Sequence, residues 1–265
     1  MYSSDEKVKN VQLELLEIMK EFDRICSKHD IKYTLHGGTL LGAVREHGFI
    51  SWDDDADVTM MSSEYRKLLK IFNKESEIYK LELNDIDIQI PRITKKVTPE
   101  GEDVIWLDII LYDYISENRI VQKLKFGITL FFQGLLRNKK TIKLSEGRGH
   151  SKAALAIWKF LCLIGSPFAP KRKQKWLFSF CSKWMTGSKK LIYRSNDQIK
   201  GMMKCLPAKC MKNFTYADYE DTKLMISKYY DTILTVSYGK NYMTPVNYNN
   251  DGVHERIREV YRNNE

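Results

Sequence analysis

The sequence predicts an α+β fold: a mixed sheet with flanking helices and a helical insertion. Three observations lead there. Residues 5–29 and 62–76 repeat apolar side chains at the helical period. Residues 31–35, 78–98 and 103–111 hold short apolar runs of strand length. Between Arg119 and Lys190, two long apolar runs sit among 17 Lys+Arg and one acid, Glu146, while the rest of the chain carries 26 basic and 33 acidic groups. These features divide the chain into a core (1–118), a basic helical insertion (119–210) and a C-terminal segment (211–265). With 265 residues, 43% hydrophobic and 12% aromatic, the chain can bury a sizeable core, which excludes wholesale disorder.

Taken in order, Val8, Val11, Leu15, Leu16, Ile18, Met19, Phe22, Ile25 and Cys26 line one face of the first helix. Ile31 to Leu35 is a short strand, broken by Gly37-Gly38, and Thr39 caps a short helix that ends near Gly48. A strand, a diglycine and a helix N-terminus are the parts of a phosphate cradle, because backbone N–H groups are exposed and no side chain blocks approach. A plain tight turn also fits an isolated glycine pair.

The next stretch carries Asp53, Asp54, Asp55 and Asp57. In an extended strand Asp53, Asp55 and Asp57 share a face and Asp54 points away. Three carboxylates on one face repel, and burying them unpaired costs several kcal/mol or more. Mg2+ or Mn2+ would resolve this, since hard cations take oxygen ligands and leave positions for substrate phosphate. A solvated acidic turn is the alternative. The apolar bracket of Phe49, Ile50 and Trp52 before, and Ala56, Val58, Met60 and Met61 after, favours a strand entering a core.

Ser62 and Ser63 start the second long helix. Ile78 to Thr98 reads as two strands, the second from Asp87 to Ile93. Asp103 to Leu111 is the strongest strand, and its inner acid, Asp108, needs a partner that the Asp55/Asp57 site would supply. Its alternative is a strand-end acid facing solvent. Farther on, Asn213–Ile226 reads as a hairpin and Ser227–Ser237 as a helix with a turn at Gly239. Tyr238, Tyr242, Tyr248 and His254 are pocket candidates, aromatic rings being suited to a quaternary ammonium. With 15 tyrosines in the chain, packing is the competing role for each.

The order Gly37-Gly38, Thr39-Leu40-Leu41-Gly42-Ala43-Val44-Arg45, Gly48-Phe49-Ile50, Trp52-Asp53-Asp54-Asp55, Asp57, and later Leu107-Asp108-Ile109 closely resembles the LicD family. The match is dense over 30–61, thinner through Arg92, Thr98 and Trp106–Asp108, and resumes at Glu220 and Tyr238–Pro245. It departs at Ala56, often a larger aliphatic, and at Lys240-Asn241, often a single Asp. The resemblance implies a nucleotidyltransferase-like fold and transfer of phosphocholine or a related phospho-alcohol, as in the similar fukutin-related ribitol-phosphate transferases. It implies a CDP-activated donor, CDP-choline first, and a glycan hydroxyl acceptor, lipid-linked or on the cell surface. It further implies Asp55 and Asp57 as ligands of Mg2+ or Mn2+, with Asp108 as third carboxylate. Gly37, Gly38 and Thr39 would bind phosphate, with Arg45, Arg92 and Tyr242 as further substrate contacts. A pyrophosphate-releasing nucleotidyltransferase, a DxD glycosyltransferase and a non-catalytic membrane-bound scaffold are the rivals.

Five cysteines without a CxxC pair read as reduced thiols. The polar N-terminus, MYSSDEKVKN, shows no signal peptide, so a cytoplasmic protein is expected. The apolar runs 125–136 and 153–169 are too short or interrupted to span a bilayer. With Trp158, Trp176 and Trp184 and basic flanks, they read as helices lying on an anionic inner leaflet. An ordinary helical subdomain is the alternative. No nucleic-acid motif accompanies the charge.

Overall fold

The structure, a computed structural model, describes residues 4–83, 90–97, 104–147 and 151–245. In chain order it runs α1 (Ser4–Lys28), β1 (Thr34–Leu35), α2 (Gly37–Arg45), β2 (Ala56–Met61), α3 (Ser62–Glu75), β3 (Tyr79–Leu83), β4 (Pro91–Lys95) and β5 (Trp106–Ile115). Then come α4 (Arg119–Leu136), α5 (Lys139–Gly147), α6 (Lys152–Gly165), α7 (Pro170–Lys183), β6 (Leu191–Arg194), α8 (Ile199–Met202) and β7 (Leu206–Pro207). A hairpin, β8 (Phe214–Tyr219) and β9 (Thr222–Ser227), leads into α9 (Tyr230–Tyr238). The α+β class, with a helix-flanked sheet and a helical insertion, is what the chain adopts.

Two compact units emerge: Met1–Glu82 with Arg92–Ile109 and Lys209–Glu265, and Leu83–Pro91 with Ile110–Ala208. In the first, the strand order is β1-β2-β5-β4-β3. β1 pairs antiparallel with β2 and β4 with β5, whose register sets Arg92 opposite Asp108 and Ile93 opposite Leu107. The apolar face of α1 (Leu15, Ile18, Met19, Phe22, Ile25) is buried, as are Val58 and Met60 of β2, Leu68 and Phe72 of α3 and Leu107 of β5. In the second unit, the later half of β5 pairs antiparallel with β6, and β6 with β7. Asn118 caps α4 by accepting from the Ile120 and Val121 N–H groups. Leu136, Leu177 and Cys181 form a core between α4 and α7.

Four expectations change. The glycine pair is not a break before a helix but the first turn of α2, and Thr39 makes no cap: its hydroxyl accepts from the Asp57 N–H at 2.9 Å. β1 is confined to Thr34–Leu35. The acidic run does not lie in one strand, because β2 begins only at Ala56. A turn at 51–52 precedes it, closed by the Asp53 N–H on the Ile50 carbonyl (2.8 Å). Face-sharing by Asp53, Asp55 and Asp57 through strand alternation therefore fails. The strong strand is shifted to Trp106–Ile115, because Asn196 Oδ1 and the β6 pairing carry its ladder past Leu111. Asp103 and residues 87–89 of the strand expected from Asp87 to Ile93 lie outside the described residues, and the rest of that strand falls on or beside β4.

Candidate active site

The first unit gathers the acidic run around the start of α2. Gly37 has φ +54, a left-handed conformation that favours glycine. A Cβ there would sit 3.3 Å from Asp57 Oδ2 and 3.8 Å from the Tyr238 hydroxyl. At Gly38 a Cβ would collide with Asp53 Oδ2. The two glycines are thus places where carboxylates close on backbone. The Asp57 carbonyl accepts from the His36 N–H at 2.9 Å, extending the β1–β2 ladder by one step.

The turn that presents Asp53 is pinned from α1. Gln12 Nε2 donates to the carbonyls of Ile50 (3.1 Å) and Asp53 (2.8 Å). On the other side, Glu220 at the tip of the β8–β9 hairpin accepts from the Phe49 N–H at 2.9 Å, and its own N–H donates to the His47 carbonyl at 2.8 Å. Phe49 and Tyr219 stack edge to face with centroids 5.1 Å apart.

Burial, and after it the neighbouring Asp55 carboxylate to which it is hydrogen-bonded, raises the Asp53 carboxyl above the usual carboxylate range. The Tyr219 phenol is likewise pushed up, by burial first and then by Asp53, Glu220 and Asp55. Its hydroxyl is buried without a hydrogen-bond partner among the described residues.

Asp108 is placed otherwise than expected. Opposite it in the ladder, Arg92 Nε donates to Asp108 Oδ1 at 2.6 Å, and the Trp106 indole donates to Oδ2 at 3.3 Å. The Arg92 guanidinium also lies 4.3 Å from the Trp106 ring centroid. A cross-strand arginine is thus one partner of this inner-strand acid, because residues facing across an antiparallel pair are near neighbours. Arg45 ends α2, eight residues or about 12 Å along the axis from Gly37, with its Nε on Glu46 at 2.7 Å. Tyr242 donates to Asp231 at 2.8 Å, and its phenol is pushed up to about 12, mainly by burial. Tyr238 is the tyrosine beside the glycines; Tyr248 and His254 lie outside the described residues.

Among the described residues, no three His, Cys, Asp or Glu side chains are grouped to hold one metal ion. The donor set still fits a hard cation. Mg2+ commonly takes one or two carboxylates and completes its shell with water and substrate phosphate, and paired carboxylates such as Asp53 and Asp55 are relieved by such a charge. Gln12 and Tyr219 are the site residues that sequence reasoning left without a role, and Glu220 entered it only through the family resemblance. Asp53 carried a local signal, as a member of the acidic run. Gln12, Tyr219 and Glu220 approach from residues 38 or more positions away, and the fold is what brings them to the turn.

This arrangement coincides with a known domain. Residues 30–128 match the model described as LicD/FKTN/FKRP, nucleotidyltransferase domain. This part of the chain is similar to the LicD-type nucleotidyltransferase domain. It holds the glycine pair, the acidic run, Arg92 and Asp108. The chain is 27% identical over 267 residues, 94% of its own length and 96% of the relative's, to a lipopolysaccharide cholinephosphotransferase LicD of Haemophilus influenzae. Shorter matches join it to uncharacterized proteins of Rickettsia prowazekii (40% over 74 residues, 26% of this chain and 28% of the relative) and Rickettsia typhi (36% over 75 residues, 28% and 24%).

Proposed function

We propose that the chain is a metal-dependent phosphotransferase that moves phosphocholine, or a related phospho-alcohol, from a CDP-activated donor to a hydroxyl of a cell-surface glycan or its lipid-linked precursor. The observation that carries this reading is the closure of the Asp53–Asp57 run on Gly37 and Gly38. Its support for phosphocholine is the near full-length similarity to a cholinephosphotransferase.

Asp55 and Asp57 would hold Mg2+ or Mn2+, which when bound neutralises charge on the donor diphosphate and on the departing CMP. Gly37 and Gly38, lacking side chains, let Asp53 and Asp57 lie against the start of α2, whose dipole favours an anion. Thr39 fixes the Asp57 backbone, so its part is to position the carboxylate rather than to touch phosphate. Arg92, buried, and Asp108, half-buried, brace the β4–β5 floor as an ion pair. The acceptor oxygen forms a bond to the phosphorus of the phospho-alcohol, the bond from that phosphorus to CMP breaks, and CMP leaves with the electron pair. The hydroxyl proton passes to a carboxylate of the acidic run.

A donor screen with the released nucleotide identified by mass tests the proposal. CDP-choline, CDP-ribitol, CDP-glycerol, UDP-sugars and nucleoside triphosphates are supplied with Mg2+ and a glycan acceptor. Release of CMP from a CDP-alcohol is the expected result. Pyrophosphate from a triphosphate, UDP from a UDP-sugar, or no turnover of any donor would each overturn it. Asp55→Asn and Asp57→Asn should abolish CMP release while the far-UV circular dichroism stays unchanged.

A further inference from the structure

The second unit carries an apolar surface that its own packing does not cover. One side of α6 is used internally: Leu161 packs where Gly134 of α4 lacks a side chain, Gly165 lies against the Leu135 carbonyl, and the Arg137 guanidinium sits 3.8 Å from the Trp158 ring centroid. The opposite side is as apolar and faces out. Ile157 is 57% exposed, Phe160 60%, Leu163 70% and Ile164 42%. Ala153 and Ala156 extend the same stripe. The spacing of these residues puts them on one face at the helical period. A soluble helix normally turns charge outward, and contiguous exposed apolar surface marks an interaction site.

Charge identifies what covers it. Lys152 and Lys159 are exposed on α6, and Lys171, Arg172 and Lys175 are exposed in the first turns of α7, five residues after α6 ends. Across 119–190 the sole acid is Glu146 against 17 Lys+Arg. A protein partner of ordinary mixed charge does not call for such a one-signed surround; an anionic lipid surface does. Among the described residues no single helix is long and apolar enough to cross a membrane, although α6 and α7, bent by 111°, pass the length and composition test as a pair. The fourteen residues of α6 reach about 21 Å, short of the roughly 30 Å hydrocarbon core.

We propose that the outward face of α6 lies in the headgroup region of an anionic bilayer, such as the inner face of the plasma membrane. Phe160, Leu163 and Ile164 enter the acyl boundary, while Lys152, Lys159 and the α7 cations lie at the phosphates. Long basic side chains on such a helix can reach up to the headgroups past their apolar neighbours. The inference stands apart from the transfer reaction and does not depend on it.

Co-sedimentation of the full chain with vesicles tests it. Binding is expected to phosphatidylglycerol–phosphatidylcholine vesicles, weak binding to phosphatidylcholine alone, and release as salt rises. The double variant Phe160→Glu/Leu163→Glu should lower the bound fraction about tenfold, with an unchanged melting temperature. The triple variant Lys171→Glu/Arg172→Glu/Lys175→Glu should remove the preference for anionic lipid. Should the double variant fail to fold, Phe160→Trp provides a second readout, since brominated phosphatidylglycerol should quench the new emission. Binding that ignores lipid charge and salt, no quenching, or a lipid-free dimer that Phe160→Glu/Leu163→Glu turns into a monomer would overturn the proposal, the last by assigning the face to a second copy.

Discussion

At the scale of single residues, glycine is where the site is most sensitive. Gly38→Ala puts a methyl group where Asp53 Oδ2 now lies. Alanine is the better helix former, so the melting temperature should hold or rise. Displacing a site carboxylate by about 1 Å should still cost roughly 100-fold in turnover. Steady-state CMP release beside a thermal melt reads both effects, and unchanged turnover would show that the Asp53 position does not matter. Tyr219→Phe separates function from stability in another way. Its hydroxyl is buried without a partner among the described residues, so losing it should raise stability by about 1 kcal/mol in urea denaturation. If the phenol donates to the bound donor, turnover should fall about tenfold. Asp53–Asp57 and the glycines were legible in the sequence, because both chemistries are local. Tyr219 was not, since a tyrosine at the end of a hairpin strand looks the same whether it faces solvent or an acidic cluster.

At the scale of elements, two buried cations hold the structure. Arg92 and Asp108 face each other across β4 and β5, with side chains 6% and 20% exposed. Asp108→Asn removes the carboxylate that faces a buried guanidinium and should cost about 3 kcal/mol, read from the denaturant midpoint. A variant as stable as the parent would return Asp108 to a purely catalytic part. In the second unit, Lys125 is fully buried on α4 and its ammonium donates to the carbonyls of Tyr114 (2.6 Å), Cys181 (2.8 Å) and Trp184 (2.8 Å). It ties the end of α7 to β5. Lys125→Met leaves three carbonyls short of a donor and should destabilise the fold by about 3 kcal/mol, visible by chemical denaturation. In the sequence Lys125 was one of 17 basic residues in its segment, and nothing local set it apart. The helices α1, α3, α4 and α9 were legible because their apolar period is a property of neighbouring residues. The starts of α2 and β2 were misplaced because backbone bonds between them, Asp57 N–H to Thr39 and His36 N–H to the Asp57 carbonyl, decide both ends.

At the scale of the whole molecule, ligand binding should report the carboxylate site. With CDP-choline and Mg2+ together at about 100 times the donor dissociation constant, linkage adds about 2.7 kcal/mol, or a rise of roughly 5 °C in melting temperature. Either ligand alone should do much less, and chelation should remove the effect. A rise that survives chelation would separate donor binding from the metal. The sequence by itself determined the α+β class, the helical basic insertion, the resemblance over residues 30–128 and the acidic and glycine-rich stretch, all of which rest on composition, period or motif within a few tens of residues. Only the tertiary structure decided which carboxylates close on the glycines, that Asp108 meets Arg92, and that Gln12 and Tyr219 join Glu220 around the turn. Those contacts join positions far apart in the chain, and a carboxylate's partner is set by which opposite charge or donor the fold brings within about 3 Å.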